Sequence, residues 1–133
     1  MGVKLIIAGS RSILDYKILL KAIEFAGIIP EDIDEVVSGG ANGVDKLGEK
    51  WAEANKIKIT KFIPNWKDIK TEPVFIKKNA YGQYNALAGH VRNAKMAEYG
   101  DMLLAVWTDG STGTANMIEE MEKLDKEVII YEV

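Results

Sequence analysis

The run Val3-Lys4-Leu5-Ile6-Ile7-Ala8 is too short to cross a membrane and too continuously apolar to lie half exposed. A strand of that kind needs both faces covered, which calls for a parallel sheet between layers of helices. The rest of the chain supplies those layers. Leu19, Ala22, Ile23 and Ala26 stand at helical spacing, opened by Ser12-Ile13-Leu14-Asp15 at capping-box spacing and closed by Gly27. Glu35-Val36-Val37-Ser38 reads as a second strand, and Val44, Leu47, Gly48, Trp51 and Ala52 share the face of a second helix. Residues 57–63 alternate as an edge strand does and stop at Pro64. Residues 65–85 have neither period. A helix over 87–99, a buried strand over 102–107, a helix with Met117, Ile118, Met121 and Leu124 inward, and a strand over 127–132 complete the pattern. The expectation is one α/β domain over residues 1–133: a doubly wound sheet of about five mainly parallel strands, the first near the centre, helices on both faces, and a long insert at 65–85.

A chain of 133 residues buries roughly two-thirds of its unfolded surface, enough for one core without staples. The absence of cysteine excludes disulfides, thiolate metal sites and a cysteine nucleophile. With a single histidine, His90, a histidine-based metal site or triad has little to work with, so no metal and no required cofactor are expected. The net charge of −3 weighs against binding driven by non-specific phosphate attraction. Val3–Ala8 is about half a signal-peptide core, which gives the expectation of a cytoplasmic protein with no membrane association.

In an open parallel sheet, ligands bind beyond the carboxyl ends of the strands. Three strand ends carry unusual loops. In Ser38-Gly39-Gly40-Ala41-Asn42-Gly43-Val44-Asp45, glycines permit tight turns and close approach, and the following helix offers unpaired amides to a phosphate. Asp45 can accept from a sugar hydroxyl or simply complement the helix dipole. Asp109-Gly110-Ser111-Thr112-Gly113-Thr114 is a second anion cradle. Gly9-Ser10-Arg11 places a guanidinium just past the central strand, where it can fork onto a phosphate. Arg92 and Asn93, near a helix start, are expected to be further ligand contacts. The spacing of the Ser38–Asp45 loop is neither that of a dinucleotide fingerprint nor that of a Walker A motif.

Six ordered blocks resemble a known family. They are Gly9-Ser10-Arg11, Ser38-Gly39-Gly40-Ala41-x-Gly43-x-Asp45, Trp51-Ala52, Pro64-x-Trp66, Ala88-Gly89-x-x-Arg92-Asn93-x-x-Met96, and Trp107-x-Asp109-Gly110-x-x-Gly113-Thr114-x-x-Met117-Ile118. Together they are similar to the YspA/YpsA-related branch of the SLOG superfamily. Its relatives include the Lonely Guy phosphoribohydrolases, lysine-decarboxylase-like proteins and DprA. The resemblance implies a Rossmann-like domain that binds nucleotides, ADP-ribose or related derivatives, and a dimer or larger homo-oligomer. Lonely Guy enzymes carry a catalytic glutamate within three residues of the loop that aligns with 109–114. Here Asn116 and Met117 follow Thr114, and the first carboxylate, Glu119, is displaced from that face.

Residues 65–85 interleave Trp66, Phe75, Tyr81 and Tyr84 with Lys67, Lys70, Lys77 and Lys78. Rings sandwich bases and lysines meet phosphates, so this segment is expected to be a lid over the site or an interface arm, through Trp66, Lys77, Tyr81 and Tyr84. The leading expectation is a binding module that senses or sequesters a nucleotide-derived ligand. Two alternatives stay open. One is a nucleotide N-glycosidic hydrolase or transferase, with Asp45, Glu119 or Asp109 as acid or base. The other is single-stranded nucleic-acid binding, which is not favoured.

Overall fold

The computed structural model describes residues 2–70, 74–80, 82–108 and 111–133. Five strands form one sheet: β1 (Val3–Gly9), β2 (Ile33–Ser38), β3 (Lys58–Lys61), then β6 (Met102–Trp107) and β7 (Glu127–Glu132). Their order is β3-β2-β1-β6-β7, every neighbouring pair is parallel, and β1 is the central strand. Two further strands, β4 (Ile76–Asn79) and β5 (Gly82–Asn85), form a separate antiparallel hairpin.

Alternation along β1 divides the core in two. Leu5 and Ile7 join Leu19, Ile23, Val36, Val44 and Trp51 beneath α1 (Tyr16–Ala26) and α2 (Val44–Ala54). Ile6 and Ala8 join Val37, Met96, Leu103, Met117 and Met121 beneath α3 (Ala88–Tyr99) and α4 (Thr112–Lys123). Helices that follow strands on opposite sides of the order reversal thus cover opposite faces, as crossovers of one hand require. Full burial of Leu5, Ile6 and Ile7 removes roughly 2 kcal/mol of apolar exposure each.

Two local expectations change. Asp15, not Ser12, caps α1: its carboxylate accepts from the Lys17 N–H at 2.9 Å. Ser12 stays in the preceding loop because the Ile13 N–H turns back onto the Ser10 carbonyl and Ile13 enters the core. Gly27 closes the helix at φ +69, the left-handed cap. The segment 65–85 is not shapeless, since it contains the β4–β5 hairpin. Its strands are almost wholly exposed and polar, so no apolar alternation announces them. The hairpin base is fastened by Asn85, which is buried; its side-chain oxygen accepts from the Phe75 and Leu87 N–H groups at 3.2 and 2.9 Å. The Asn85 N–H in turn reaches the Trp66 carbonyl at 2.6 Å.

Candidate functional site

Between β1 and β6 the strand order reverses, and the loops leaving their carboxyl ends part to form a cleft of about 590 Å³. Ala8, Met96 and Met117 give it an apolar floor. Its walls are the loop after β1 (Gly9, Ser10, Arg11, Ser12), part of the loop after β2 (Gly39, Ala41, Asp45), and the residues after β6 (Thr108, Ser111–Thr114). The start of α3 contributes Gly89, His90, Arg92 and Asn93, and Trp66 stands at the mouth.

The first turn of α4 opens onto the cleft. Thr112 and Gly113 are exposed there, and the Ser111 and Thr114 hydroxyls bond one another at 2.8 Å. First-turn amides of a helix have no intrahelical acceptor and lie at its positive end, so this wall is suited to an anion.

The loop after β2 is built differently. The Ser38 hydroxyl donates to Glu49 Oε2 at 2.6 Å and accepts from the Gly40 N–H at 3.1 Å. The Ala41 N–H donates to Asp45 Oδ2 at 3.2 Å. Glu49 is held further by Lys61 at 3.3 Å and Lys46 at 3.8 Å. Gly43, at φ +79, is N-terminal to α2 and lies against the neighbouring loop; a Cβ there would meet the Ser10 carbonyl oxygen and stand 2.6 Å from Arg11 Cα. Ser38, Gly40 and Gly43 therefore shape the loop and do not line the main cleft. Gly39 and Asp45 do.

Arg92 reaches across the cleft. Its Nη1 donates to the Gly39 carbonyl at 2.6 Å and the Phe62 carbonyl at 3.3 Å, and its Nε donates to Asn93 Oδ1 at 2.9 Å. No described residue accepts from Nη2, which leaves one face of the guanidinium for a ligand. A Cβ on Gly39 would stand 2.6 Å from Nη1, so a side chain there would have to push the guanidinium aside. Burial pushes the Arg92 pKa down and Arg11 nearby adds to that, opposed by Asp45. Arg11 is exposed and forms no ion pair with any described residue. Burial pushes the Asp45 carboxyl up to about 6, with Glu49 adding to it; the Ala41 N–H, Arg92 and Arg11 pull the other way.

Asn93 is brought to the cleft with its amide already engaged: Nδ2 donates to the Gly113 carbonyl at 3.2 Å and to Asn116 Oδ1 at 2.9 Å. It fixes α3 to α4 more than it reaches outward. Ser10 is similarly occupied, its hydroxyl accepting from the Thr108 N–H at 2.9 Å and so tying the end of β1 to the end of β6. Glu119, a candidate acid or base, is not in the cleft. It lies on an exposed face of α4, 3.7 Å from Lys123, five residues beyond Thr114 and past the turn that meets the site. Of the expected lid residues, Trp66 lines the cleft, while Lys77 and Tyr84 lie on the hairpin away from its lining. Lys77 instead lies 5.5 Å over the Phe75 ring. Tyr81, Asp109 and Gly110 lie outside the described residues.

Sequence reasoning missed Ser12, Thr108 and His90 as lining residues, and Glu49 as the buried support of the β2 loop. His90 carried no spacing signal, since two residues before Arg92 on a helix it stands about 200° away around the axis. Glu49 was readable from its place one helical turn after Asp45, on the same face. Among the described residues no helix is long and apolar enough to cross a membrane, and no group of three or more acidic or histidine side chains is placed to hold a metal ion.

Comparison with known proteins places this architecture. Residues 3–68 match the model of the YAcAr family, described as the YspA, cpYpsA-related SLOG family. Among solved structures, the DNA processing protein A (DprA) of Streptococcus pneumoniae has a similar fold, with a TM-score of 0.69 at 18% identity. The match covers 97% of this chain and 50% of that one, so the chain spans half the length of that relative. No curated protein matches.

Proposed function

Because the chain belongs to the YspA, cpYpsA-related SLOG family, we propose that it captures a small nucleotide-derived ligand at the carboxyl edge of its sheet, as a sensor or sequestering module. ADP-ribose, an NAD-like dinucleotide and a nucleoside phosphate are the ligands in question. The observation that carries this reading is the cleft itself. It lies at the reversal of strand order and is lined by the first turn of α4 together with Arg11 and Arg92. Backbone amides, hydroxyls and guanidiniums suffice to hold a phosphorylated sugar there.

A second reading, cleavage of an N-glycosidic bond, has one specific support. Asp45 is a cleft-lining carboxyl with its pKa near 6, within reach of acid–base work at neutral pH. Against it stands Asn116, near the position where the resemblance to Lonely Guy enzymes implies a glutamate; its amide oxygen is bound to Asn93.

A thermal-shift screen with ADP-ribose, NAD and AMP tests the first reading. A ligand at one hundred times its dissociation constant adds about 2.7 kcal/mol to stability. No shift with any of them overturns the proposal. Chromatography of the same mixtures tests the second reading, which requires release of free base or nicotinamide. A DNA processing protein shares this fold, so labelled single-stranded DNA belongs in the screen. A salt-sensitive mobility shift there, without a small-ligand response, replaces the proposal with nucleic-acid binding.

A further inference from the structure

The two edges of the sheet are built differently. β3 is short and guarded. It has four residues with a lysine at each end, and Pro64 follows closely. Lys58 pairs with Glu35 at 2.9 Å and Lys61 with Glu49 at 3.3 Å. Shortness, edge lysines and proline keep an edge from accepting another strand. β7 has none of these. Its six residues pair with β6 in unbroken register and include no glycine, proline or lysine. Its charges, Glu127 and Glu132, stand only at its ends, and Val128-Ile129-Ile130-Tyr131 between them is apolar. None of these four residues is buried, and no described strand pairs with the far side of β7.

That far side offers its backbone in regular order. The Val133 N–H donates to the Trp107 carbonyl, so the odd-numbered residues of β7 turn their backbone groups toward β6. Those of Val128, Ile130 and Glu132 turn to the open edge. Exposed apolar side chains flank the edge on both faces of the sheet. On the α1 face, Phe25 is 64% exposed and its ring lies 5.3 Å from that of Tyr131. On the α4 face, Ile130 is 38% exposed. Leu124 continues the helical stripe of Met117 and Met121, yet it is 45% exposed where they are covered.

We propose that β7 is a docking edge for a second copy of this chain, with β7 pairing antiparallel to β7 so that two five-stranded sheets become one. The strand is its own complement. With the two-fold axis at Ile129, Val128 lies opposite the partner's Ile130, Glu127 opposite the partner's Tyr131, and Glu132 opposite the partner's Lys126. No carboxylate then meets a carboxylate. Val128 and Ile130 both turn their backbone groups outward, so each such pair can exchange two hydrogen bonds. Parallel addition of β7 to the β3 edge of a next copy would run on as an open filament, and the short, lysine-ended β3 opposes it. The two-fold axis stands perpendicular to the sheet. It brings α1 layers together on one face, where Phe25 is exposed, and α4 layers on the other, where Leu124 is. The two clefts then open at opposite ends of the joined sheet.

Sedimentation velocity from micromolar to millimolar concentration tests this on the whole chain. A dimer of twice the chain mass is expected. Ile130→Lys puts a charge on the open edge at a side chain already partly exposed. It is expected to weaken the dimer about tenfold or more, with the circular dichroism spectrum unchanged. Leu14→Lys, at an exposed leucine before α1, is expected to leave the dimer intact. Amide hydrogen exchange of the parent protein is a second readout that needs no substitution. Protection of the Val128, Ile130 and Glu132 amides is expected to rise with protein concentration, in step with the dimer. A monomer throughout overturns the proposal. So does a dimer in which these three amides exchange alike at every concentration, or one that a folded Ile130→Lys variant still forms as tightly.

Discussion

Residues 38–45 and residues 108–114 both join a buried strand to a helix and both contain glycines, the first beside the single hydroxyl of Ser38 and the second beside the hydroxyls of Thr108, Ser111, Thr112 and Thr114. In the first loop the polar groups are spent internally. Ser38 serves Glu49 and the Gly40 amide, Asp45 serves the Ala41 amide, and Gly43 lies against the loop after β1. In the second, the Ser111 and Thr114 hydroxyls bond one another, and the exposed Thr112 and Gly113 form part of the cleft wall. Two glycine-bearing loops after buried strands are thus two devices: one that positions Arg92 and Asp45, and one whose first-turn amides and hydroxyls face the cleft. The difference comes from carboxylates on α2. Glu49 and Asp45 stand one turn apart on its buried face and claim the donors of the first loop, and α4 has no acidic residue in its first turn.

This contrast breaks most directly at Gly43. Gly43→Ala forces a side chain into positive φ and into the Ser10–Arg11 backbone, and is expected to destabilise by roughly 3–4 kcal/mol in urea unfolding. A loss under 1 kcal/mol would show that the two loops do not depend on their close contact.

Asp45→Asn sharpens it next. The carboxyl titrates near 6 in the fold against an ordinary 3.8, so the unfolded chain gives up this proton first as pH rises. The stability this group allows is complete below pH 3.8 and is lost progressively up to pH 6, by up to roughly 3 kcal/mol. The asparagine variant is therefore expected to be more stable than the parent above pH 6, with the gap closing below pH 4. Equal pH profiles for the two proteins contradict the burial argument.

Ser38→Ala strips a partner from Glu49 and from the Gly40 amide, and is expected to cost about 1–2 kcal/mol of stability with ligand affinity little changed. Thr112→Val is the reverse case. It should leave the unfolding midpoint within about 0.5 kcal/mol and weaken ADP-ribose binding roughly fivefold by titration. If Ser38→Ala abolishes binding while Thr112→Val does nothing, the division of labour between the loops is inverted.

The fold was legible because its signal is apolar periodicity. Val3–Ala8 reads as a central strand from its composition alone, and the helix faces carrying Leu19, Trp51 and Met117 follow from spacing. The hairpin at Ile76–Asn85 was not legible, since Lys77, Lys78 and Gln83 give a strand no apolar face and a single buried asparagine fastens it. At the site, residue types were legible and their employment was not. Ser10, Ser38 and Asn93 have the chemistry of ligand contacts. Their hydrogen bonds instead go to Thr108, to Glu49, and to Gly113 and Asn116, partners that only the fold brings within reach. Arg92 was legible as a cation near a helix start, but its hold on the Gly39 carbonyl, 53 residues away, was not.

Backbone amide chemical shifts followed by NMR during titration with ADP-ribose test the central claim most directly. The account predicts saturable shifts concentrated in Gly9–Ser12 and Ser111–Thr114, with the Arg92 side chain moving alongside them. Saturable shifts confined to the β4–β5 hairpin, or no shifts at all, would contradict a nucleotide site at the reversal of the sheet.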